Sequence, residues 1–178
     1  MKSSYILVIF LFLACLVACN NDSTVDMETQ THSRNNSPFL EHKGAYMPEK
    51  VIKTDEEWRQ LLTPQQHVIT RRRGTERPFT GKYFNFRGKG IYQCVCCAND
   101  LFSSETKYDS GTGWPSFWAP ISEQNIKTAE DSSGFKKKTE VLCNRCDAHL
   151  GHVFNDGPPP TGLRYCINSV ALQFIEKK

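Results

Sequence analysis

Residues 135–146 read FKKKTEVLCNRC, in which a candidate β-strand at 135–142 runs directly into a C-x-x-C pair. Residues 91–97, IYQCVCC, repeat this arrangement with a candidate strand at 91–94. Two residues between cysteines let the backbone wrap one edge of a tetrahedron while nearby N–H groups donate to the sulfurs. The doubled pair is typical of a closed zinc site, and it predicts four ligands: Cys94, Cys97, Cys143 and Cys146.

A zinc ion with four cysteine ligands has no open coordination position, so the metal is expected to stabilise the fold without performing chemistry. A disulfide scaffold is the alternative, because the eight cysteines less Cys15 and Cys19 leave six, which allow 15 pairings. Zinc is favoured because the C-x-x-C pattern is specific and the domain is large enough to form its own core. Cys96 lies between two ligands and is either a filler or a spare thiol.

Short runs of β-branched and aromatic residues, separated by turn signals, follow Gly81. This pattern of short runs and turns predicts that most of the domain is antiparallel β-sheet. Two further candidate strands cover 126–130 and 164–175. The stretch 147–163 is expected to be a long loop of the kind that often carries function.

Two short helices are predicted to precede the sheets. Thr54-Asp55-Glu56-Glu57 forms a capping box, and Thr63-Pro64 supplies an N-cap with proline at the first helical position. With 178 residues, of which 39% are hydrophobic, the chain is long enough for one packed domain. The expected fold class is mainly β, with antiparallel sheets, short N-terminal helices and a four-cysteine zinc site.

The charge balance argues against a dedicated nucleic-acid binder. The chain has 22 Lys and Arg residues against 19 Asp and Glu, which leaves a net charge of +3 at neutral pH. That charge is too small for binding driven by the release of counterions from a polyanion. Two basic triplets, at 71–73 and 136–138, are expected to be solvated surface.

Residues 5–19, YILVIFLFLACLVAC, carry no charge and are preceded only by Lys2 and the amino terminus. A bilayer-spanning helix needs about 20 apolar residues, so this run is predicted to be a signal-peptide core. Its last four residues, LVAC, resemble the lipobox of bacterial lipoproteins, in which the signal is cut before a cysteine that carries the lipid. The resemblance implies a signal peptide at 1–18 and lipidation of Cys19. An uncleaved anchor and an ordinary signal are the alternatives.

Residues 19–44 are rich in Asn, Ser, Thr and Gln and have no hydrophobic periodicity. They are predicted to form a disordered tether, followed by the folded domain at 45–178. More than one acyl chain holds a protein stably on a membrane without spanning it. The expected location is therefore exported and membrane-anchored, on the periplasmic or another extracytoplasmic face.

Cys166, in the stretch RYCINS, lies 20 residues beyond Cys146 and has no C-x-x-C partner. In a strand, Arg164, Cys166 and Asn168 point to the same face. A guanidinium on that face favours the thiolate, which is the nucleophilic form of cysteine. The alternative is a small cysteine buried in the core.

The neighbours of Cys166 in the sequence favour the nucleophile. His149 and His152 closely follow the second cysteine pair, and a rigid Gly-Trp-Pro turn presents Trp114. Here the sequence resembles the B-type methionine-(R)-sulfoxide reductases. The matching stretches lie within 46–176 and comprise TERPFTG at 75–81, the two cysteine pairs, SGTGWPSFW at 110–118 and AHLGHVFNDGPPPTGLRYCINS at 148–169.

The resemblance implies the fold of that family and the reduction of methionine-(R)-sulfoxide in oxidised proteins, which is a repair of oxidative damage. It assigns Cys166 as the nucleophile that becomes a sulfenic acid, and it implies a thioredoxin-like reductant. It further implies that His149 and His152 polarise the sulfoxide oxygen and that Trp114 and Phe154 receive the methyl group. Asn168, Arg164 and Asp156 match residues that position the substrate or tune the site.

Three alternatives stay open from the residues alone. The histidines can be further zinc ligands or can make ordinary loop hydrogen bonds, and Phe154 can be core. The whole chain can also be a non-catalytic zinc-knuckle β domain that binds a protein partner.

The sequence departs from the resemblance at one position. Many members of that family have a second, resolving cysteine where this chain has Thr112. Either an external thiol reduces the sulfenic acid on Cys166 directly or another cysteine resolves it. Cys96 is the only unassigned thiol of the domain, and it is a possible resolving residue.

Overall fold

The computed structural model describes residues 49–134 and 136–177, and the predicted signal peptide, Cys19 and the tether lie outside these residues. Two helices come first, α1 at Asp55–Leu61 and α2 at Pro64–Arg71. Both begin with the reciprocal hydrogen bonds of a capping box, which confirms the capping box predicted at Thr54 and the N-cap predicted at Thr63. No helix in the described part of the chain is long and apolar enough to cross a bilayer.

Two antiparallel sheets form the rest of the described domain, which confirms the mainly β fold. The strands are β1 Gly90–Cys94, β2 Asp100–Ser103, β3 Lys107–Tyr108, β4 Ser116–Phe117, β5 Ile126–Asp131, β6 Lys138–Cys143, β7 His149–Phe154, β8 Arg164–Ile167 and β9 Leu172–Glu176. The smaller sheet has the order β2-β1-β9 and the larger has the order β3-β4-β8-β7-β6-β5.

Buried aromatic rings from both sheets fill the space between them. Tyr92 on β1, Phe102 on β2 and Phe117 on β4 are fully buried. The ring of Phe117 stacks on Phe102 with centroids 4.5 Å apart and meets Tyr92 edge-on at 5.0 Å. Aromatic pairs of this kind add about 0.5–1.5 kcal/mol each beyond the burial of their area. The core therefore fixes the larger sheet, which carries Cys166, against the smaller one.

The expectation of a loop throughout 147–163 is wrong, because its first half contains β7. The sequence HLGHVF of this strand lacks the two-residue alternation that marks a strand, since a bulge interrupts its pairing with β6 between Val141 and Leu142. The remainder, between β7 and β8, has no helix or strand.

The predicted single strand at 164–175 is also wrong. The chain leaves the larger sheet after Ile167, makes a short 3₁₀ turn at Ser169–Ala171, and joins the smaller sheet as β9. The backbone N–H groups of Ser169 and Val170 donate to the buried carboxylate of Glu76 at 2.6 and 2.9 Å. Because these two groups bond a side chain instead of a neighbouring strand, the strand ends there.

Candidate active site and metal cluster

The four predicted zinc ligands meet in one cluster. The sulfur atoms of Cys94, Cys97, Cys143 and Cys146 all lie within 4.8 Å of one another. The closest pairs across the two knuckles are 3.6 Å apart, far longer than a disulfide bond of about 2.05 Å. The six cysteines in the described residues are free thiols, so the disulfide scaffold is wrong for this part of the chain.

The two knuckles have the same backbone geometry. Ala98 N–H donates to the carbonyl of Cys94 and Asp147 N–H donates to that of Cys143, each at 2.9 Å. Ala98 and Asp147 both have positive φ angles, 56° and 59°, as the tight turn requires. Asn99 also donates its side-chain N–H to the sulfur of Cys143. This set of four soft ligands fits one structural zinc ion that ties β1 of the smaller sheet to β6 of the larger.

A row of directly paired residues crosses the larger sheet. Ser116 on β4 pairs with Cys166 on β8, Cys166 pairs with His152 on β7, and His152 pairs with Glu140 on β6. Residues that are directly opposite in antiparallel strands share one face of the sheet. The register of the sheet therefore places the thiol of Cys166 beside the imidazole of His152.

The bulge in β7 brings a second histidine to the same place. His149 and His152 are three residues apart, which in a regular strand would direct them to opposite faces. With the bulge, their rings lie 5.5 Å apart in an edge-to-face arrangement. Gly151 is required between them, because a Cβ atom there would lie 2.1 Å from the carbonyl oxygen of Cys166.

A pocket of about 140 Å³ opens over this row. Its lining includes five residues that the sequence predicted for the site: Trp114, His152, Phe154, Cys166 and Asn168. Cavities of about 150 Å³ accept molecules of the size of benzene, so the end of a thioether side chain fits this one. The lining also includes Thr75, Lys138 and Gly151, which the sequence analysis did not single out.

The thiol of Cys166 is half-buried, and burial raises its pKa. The hydroxyl of Thr112, 3.9 Å from the sulfur, and the guanidinium of Arg164 act in the opposite direction but do not outweigh burial. The guanidinium thus favours the thiolate, as the sequence predicted, without lowering the pKa below its ordinary value.

Arg164 and Asp156 lie behind the pocket and not in its lining. The guanidinium makes two hydrogen bonds to the carboxylate of Asp156, at 2.8 and 2.9 Å, and lies 4.3 Å from the ring centre of Phe154. A fork of this geometry fixes both partners. The pair therefore holds Phe154 in place at the edge of the pocket.

Each histidine is held by a carboxylate that the sequence analysis missed. His149 Nδ1 lies 2.7 Å from Glu140 on β6, and both side chains are almost completely buried. Burial lowers the pKa of His149, with the carboxylate acting in the opposite direction. His152 Nε2 lies 2.7 Å from Asp131 at the end of β5. Hydrogen bonds from Ser133 and His152 keep the pKa of Asp131 well below its usual range.

A chain of hydroxyl groups leads away from Cys166. The hydroxyl of Thr112 lies 2.8 Å from that of Ser110, which lies 2.7 Å from that of buried Ser116. Ser116 in turn donates to the carbonyl of Trp114 at 3.3 Å. Each hydroxyl has one proton, so the three hydroxyls can turn together, either accepting from the thiol of Cys166 or donating toward its thiolate.

Comparison with known proteins identifies the family. The SelR domain matches residues 62–176. A peptide methionine sulfoxide reductase MsrB of Hahella chejuensis is 59% identical over 126 residues, which cover 71% of this chain and 91% of the relative. One of Methanosarcina mazei is 54% identical over 129 residues, 72% of this chain and 92% of the relative. The chain belongs to the MsrB family.

In this MsrB chain, Glu76 connects the parts of the pocket. Its backbone carbonyl accepts the indole N–H of Trp114 at 3.2 Å, and its own N–H donates to the side chain of Asn168 at 3.0 Å. Its buried carboxylate caps the turn that follows Asn168, through Ser169 and Val170. No local pattern in the sequence marks this role, because the partners lie 38 to 94 residues away.

The remaining predicted residue of the MsrB site, Cys96, lies against the metal cluster. The thiols of Cys146 and Cys94 and the hydroxyl of Thr70 lie close enough to lower the pKa of Cys96. Cys96 does not line the pocket that contains Cys166. Neither histidine is part of the four-cysteine cluster, so the alternative of additional zinc ligation is not supported in the described residues.

Proposed function

We propose that this chain reduces the R epimer of methionine sulfoxide in oxidised proteins to methionine. MsrB relatives at 54–59% identity carry the name peptide methionine sulfoxide reductase. The observation that carries the proposal is the shared pocket, in which one thiol lies beside an indole, an imidazole and an amide. Those groups are the ones that sulfoxide reduction needs: a nucleophile for sulfur, an apolar wall, and polar partners for oxygen.

The reaction balances with Cys166 alone. The sulfur of Cys166 attacks the sulfoxide sulfur, a proton is delivered to the oxygen, and the S–O bond of the substrate breaks as the oxygen passes to the cysteine. The substrate sulfur is reduced to a thioether, and Cys166 is oxidised to a sulfenic acid. Methionine leaves, so one thiol and one sulfoxide give one sulfenic acid and one thioether.

The pocket walls select and orient the substrate. Trp114 and Phe154 supply aromatic surface for the S-methyl group, a contact worth about 0.3–1.5 kcal/mol for sulfur at a ring. The indole N–H is bonded to Glu76, which fixes the plane of the ring. A sulfoxide whose methyl group occupies this wall presents its oxygen to His152 and Asn168 for only one configuration at sulfur. The selectivity for one epimer follows from this.

His152 is the proton donor in this proposal. It lines the pocket, and its Nε2 atom is held by the carboxylate of Asp131. His149 supports it from the buried side, where Glu140 fixes the Nδ1 atom. The side chain of Asn168 donates to the carbonyl of Leu150 and accepts from Glu76, so its amide is oriented before substrate binds. Arg164 and Asp156 act through Phe154.

The sulfenic acid is reduced by two external thiols, which form a disulfide and release water. We propose a thioredoxin-like protein as their source, because Thr112 cannot form a disulfide with Cys166. Resolution by Cys96 stays a prediction. Mass spectrometry of the oxidised enzyme tests it, since a peptide that links Cys96 to Cys166 would support resolution by Cys96 and its absence would remove it.

The four-cysteine cluster has a structural role in the proposal. Zinc bound there would crosslink the two sheets, and all four of its ligands would come from this chain. The knuckle at Cys143 follows β6, the strand that carries Glu140. The metal therefore supports the strand next to the histidines.

A stereospecific assay tests the proposed function. The full chain, with dithiothreitol as reductant, is given N-acetyl-methionine-(R)-sulfoxide and, separately, the S epimer. Consumption of the R epimer alone is the expected result. Consumption of neither epimer, by a folded and zinc-loaded chain, would contradict the proposal.

The two basic triplets, at 71–73 and 136–138, are the residues that most favour the alternative of a non-catalytic binding domain, and contacts within the domain occupy the first of them. Arg71 donates to the carbonyl of Cys146 at 2.9 Å and lies over the ring of Trp58. Arg72 and Arg73 pair with Asp55 and Glu140. These arginines therefore make contacts within the domain, two of them with carboxylates, so less of their positive charge is available to bind a partner protein.

We also propose that the chain is an exported lipoprotein, with cleavage after residue 18, a lipid on Cys19, a tether over 19–44 and the reductase domain at 45–178. The support is the uncharged run at 5–19 and its LVAC end. Oxidised proteins outside the cytoplasm would be the substrates, which the enzyme would meet from the membrane surface. Globomycin blocks the cleavage of lipoprotein signal peptides, so treated cells should accumulate the uncleaved precursor at a higher apparent mass. An unchanged size and membrane partition of the protein would contradict lipidation.

A further inference from the structure

One exposed aromatic side chain stands out beside the pocket. Large apolar side chains in the described residues are mostly buried, but Phe79 is 59% exposed. The other strongly exposed examples are aliphatic: Ile52, Leu61, Val68, Ile121 and Ile175. A single exposed apolar side chain is ordinary on a protein surface, so the position of this ring relative to the pocket decides whether it has a role.

The backbone ties Phe79 to the wall of the pocket. Its N–H donates to the carbonyl of Gly113 at 2.8 Å, and Gly113 directly precedes Trp114. The Phe79 ring lies against the α-carbon of Gly113, where a Cβ atom would come within 2.9 Å of the ring. Thr75, four residues earlier in the same loop, lines the pocket itself. Phe79 therefore lies at the rim on the side formed by Trp114.

The conformation of Phe79 is also unusual. Its φ angle is 65°, in the left-handed region that bulky residues rarely adopt. Phe84 supports the ring edge-on, with centroids 5.9 Å apart. Such strain persists only where surrounding contacts impose it, and it is concentrated at sites that bind ligands. The backbone at Phe79 therefore keeps an apolar ring exposed to solvent, whereas most large apolar side chains of the described residues are buried.

We infer that Phe79 is a docking residue for an apolar side chain that flanks methionine sulfoxide in a protein substrate. This inference rests on the proposed function. When the sulfoxide side chain enters the pocket, the backbone of the substrate stays at the mouth, and its neighbouring residues reach the rim. An aliphatic or aromatic neighbour covers the ring of Phe79 and removes apolar surface of both partners from water. The enzyme thus prefers sulfoxides within apolar sequence segments.

Three substrates separate this role from a role in the pocket itself. N-acetyl-methionine-(R)-sulfoxide has no neighbouring residue and reports the pocket alone. Two blocked tripeptides place the R sulfoxide between leucines in one and between serines in the other. The unaltered chain should show the lower KM for the leucine peptide, by roughly three- to tenfold, with a similar kcat for both.

The variant Phe79→Asn removes the ring while keeping a residue type that tolerates a positive φ angle. It should raise the KM for the leucine peptide to that of the serine peptide and leave reduction of N-acetyl-methionine-(R)-sulfoxide unchanged. Phe79→Leu should retain most of the preference. Ile175→Thr, an exposed apolar change on β9, is the matched control and should keep the full preference.

Equal losses on all three substrates in Phe79→Asn would show that the ring supports the pocket and would overturn the inference. An undiminished preference for the leucine peptide would overturn it as well. Failure of the unaltered chain to reduce N-acetyl-methionine-(R)-sulfoxide would instead contradict the proposed function, so the two failures are distinguishable.

Discussion

The hydroxyl oxygen of Thr112 lies 3.9 Å from the sulfur of Cys166, within hydrogen-bonding distance for sulfur. This threonine occupies the position at which the family resemblance implies a resolving cysteine. The residue beside the thiol therefore can form a hydrogen bond with it but cannot form a disulfide with it. This geometry bears on how easily the thiolate of Cys166 forms and on how its sulfenic acid is reduced after a turnover.

Thr112→Val should make the thiolate of Cys166 harder to form. The hydroxyl lowers the pKa of Cys166, which burial has raised, so loss of the hydroxyl raises it further. A smaller fraction of thiolate is then present at neutral pH, and alkylation by iodoacetamide should slow by roughly three- to tenfold, with the difference shrinking as the pH rises. Thr112→Ser keeps the hydroxyl and serves as the control. Equal alkylation rates of all three forms would contradict the assigned contact.

Thr112→Cys should convert the enzyme to one that forms an internal disulfide after a turnover. A sulfur in place of the hydroxyl must approach Cys166 from 3.9 Å to about 2.05 Å, and Gly111 and Gly113 flank the moving residue. After one equivalent of sulfoxide, thiol titration should show two fewer thiols than the reduced enzyme, and mass spectrometry should find the crosslinked peptide. The unaltered chain under the same conditions should lose one thiol. A stable sulfenic acid in the variant would contradict the prediction.

Asp131→Asn should lower kcat with little effect on KM. The asparagine can still accept a hydrogen bond from His152, but it has no negative charge to stabilise an imidazolium that donates to the sulfoxide oxygen. A well-placed proton donor contributes about 10²- to 10⁴-fold, so loss of part of that effect predicts a fall of about tenfold or more. Glu130→Gln, one residue away and exposed, is the control and should leave kcat unchanged. A rise in KM alone would assign Asp131 to substrate binding.

The sequence predicted the parts of this protein that depend on local chemistry. The capping box at Thr54, the N-cap at Thr63 and the two C-x-x-C pairs of the metal cluster follow from side chains a few residues apart, and all were confirmed. The antiparallel β class also followed from the turn signals and short β runs. These features need no knowledge of which strands become neighbours.

The parts that the sequence did not predict depend on contacts between distant residues. The bulge in β7 removes the two-residue period by which a strand is recognised, so the sequence predicts a loop where the strand with His149 and His152 lies. Glu76, Asp131 and Glu140 lie 9 to 94 residues from the groups that they hold. A single carboxylate carries no signal of such a partner. The roles assigned to Cys166 and its neighbours by resemblance stay predictions until they are tested.

Removal of zinc should destabilise the whole domain instead of blocking one chemical step. Metal analysis is expected to find one zinc per chain, and a strong chelator should lower the melting temperature together with activity. Cys97→Ser should have the same effects, whereas Cys96→Ser should retain the metal, since Cys96 is not part of the four-cysteine cluster. Full stability after complete loss of zinc would contradict a structural role for the site.

The most direct test of the account is a single turnover without reductant. The full chain is mixed with N-acetyl-methionine-(R)-sulfoxide and dimedone, which captures sulfenic acids, and the methionine product is measured beside the labelled peptide. The account predicts one methionine per chain and dimedone on Cys166, while Cys166→Ser gives neither and keeps its zinc content and melting temperature. Methionine production by Cys166→Ser, or dimedone on another cysteine in the unaltered chain, would contradict the central claim.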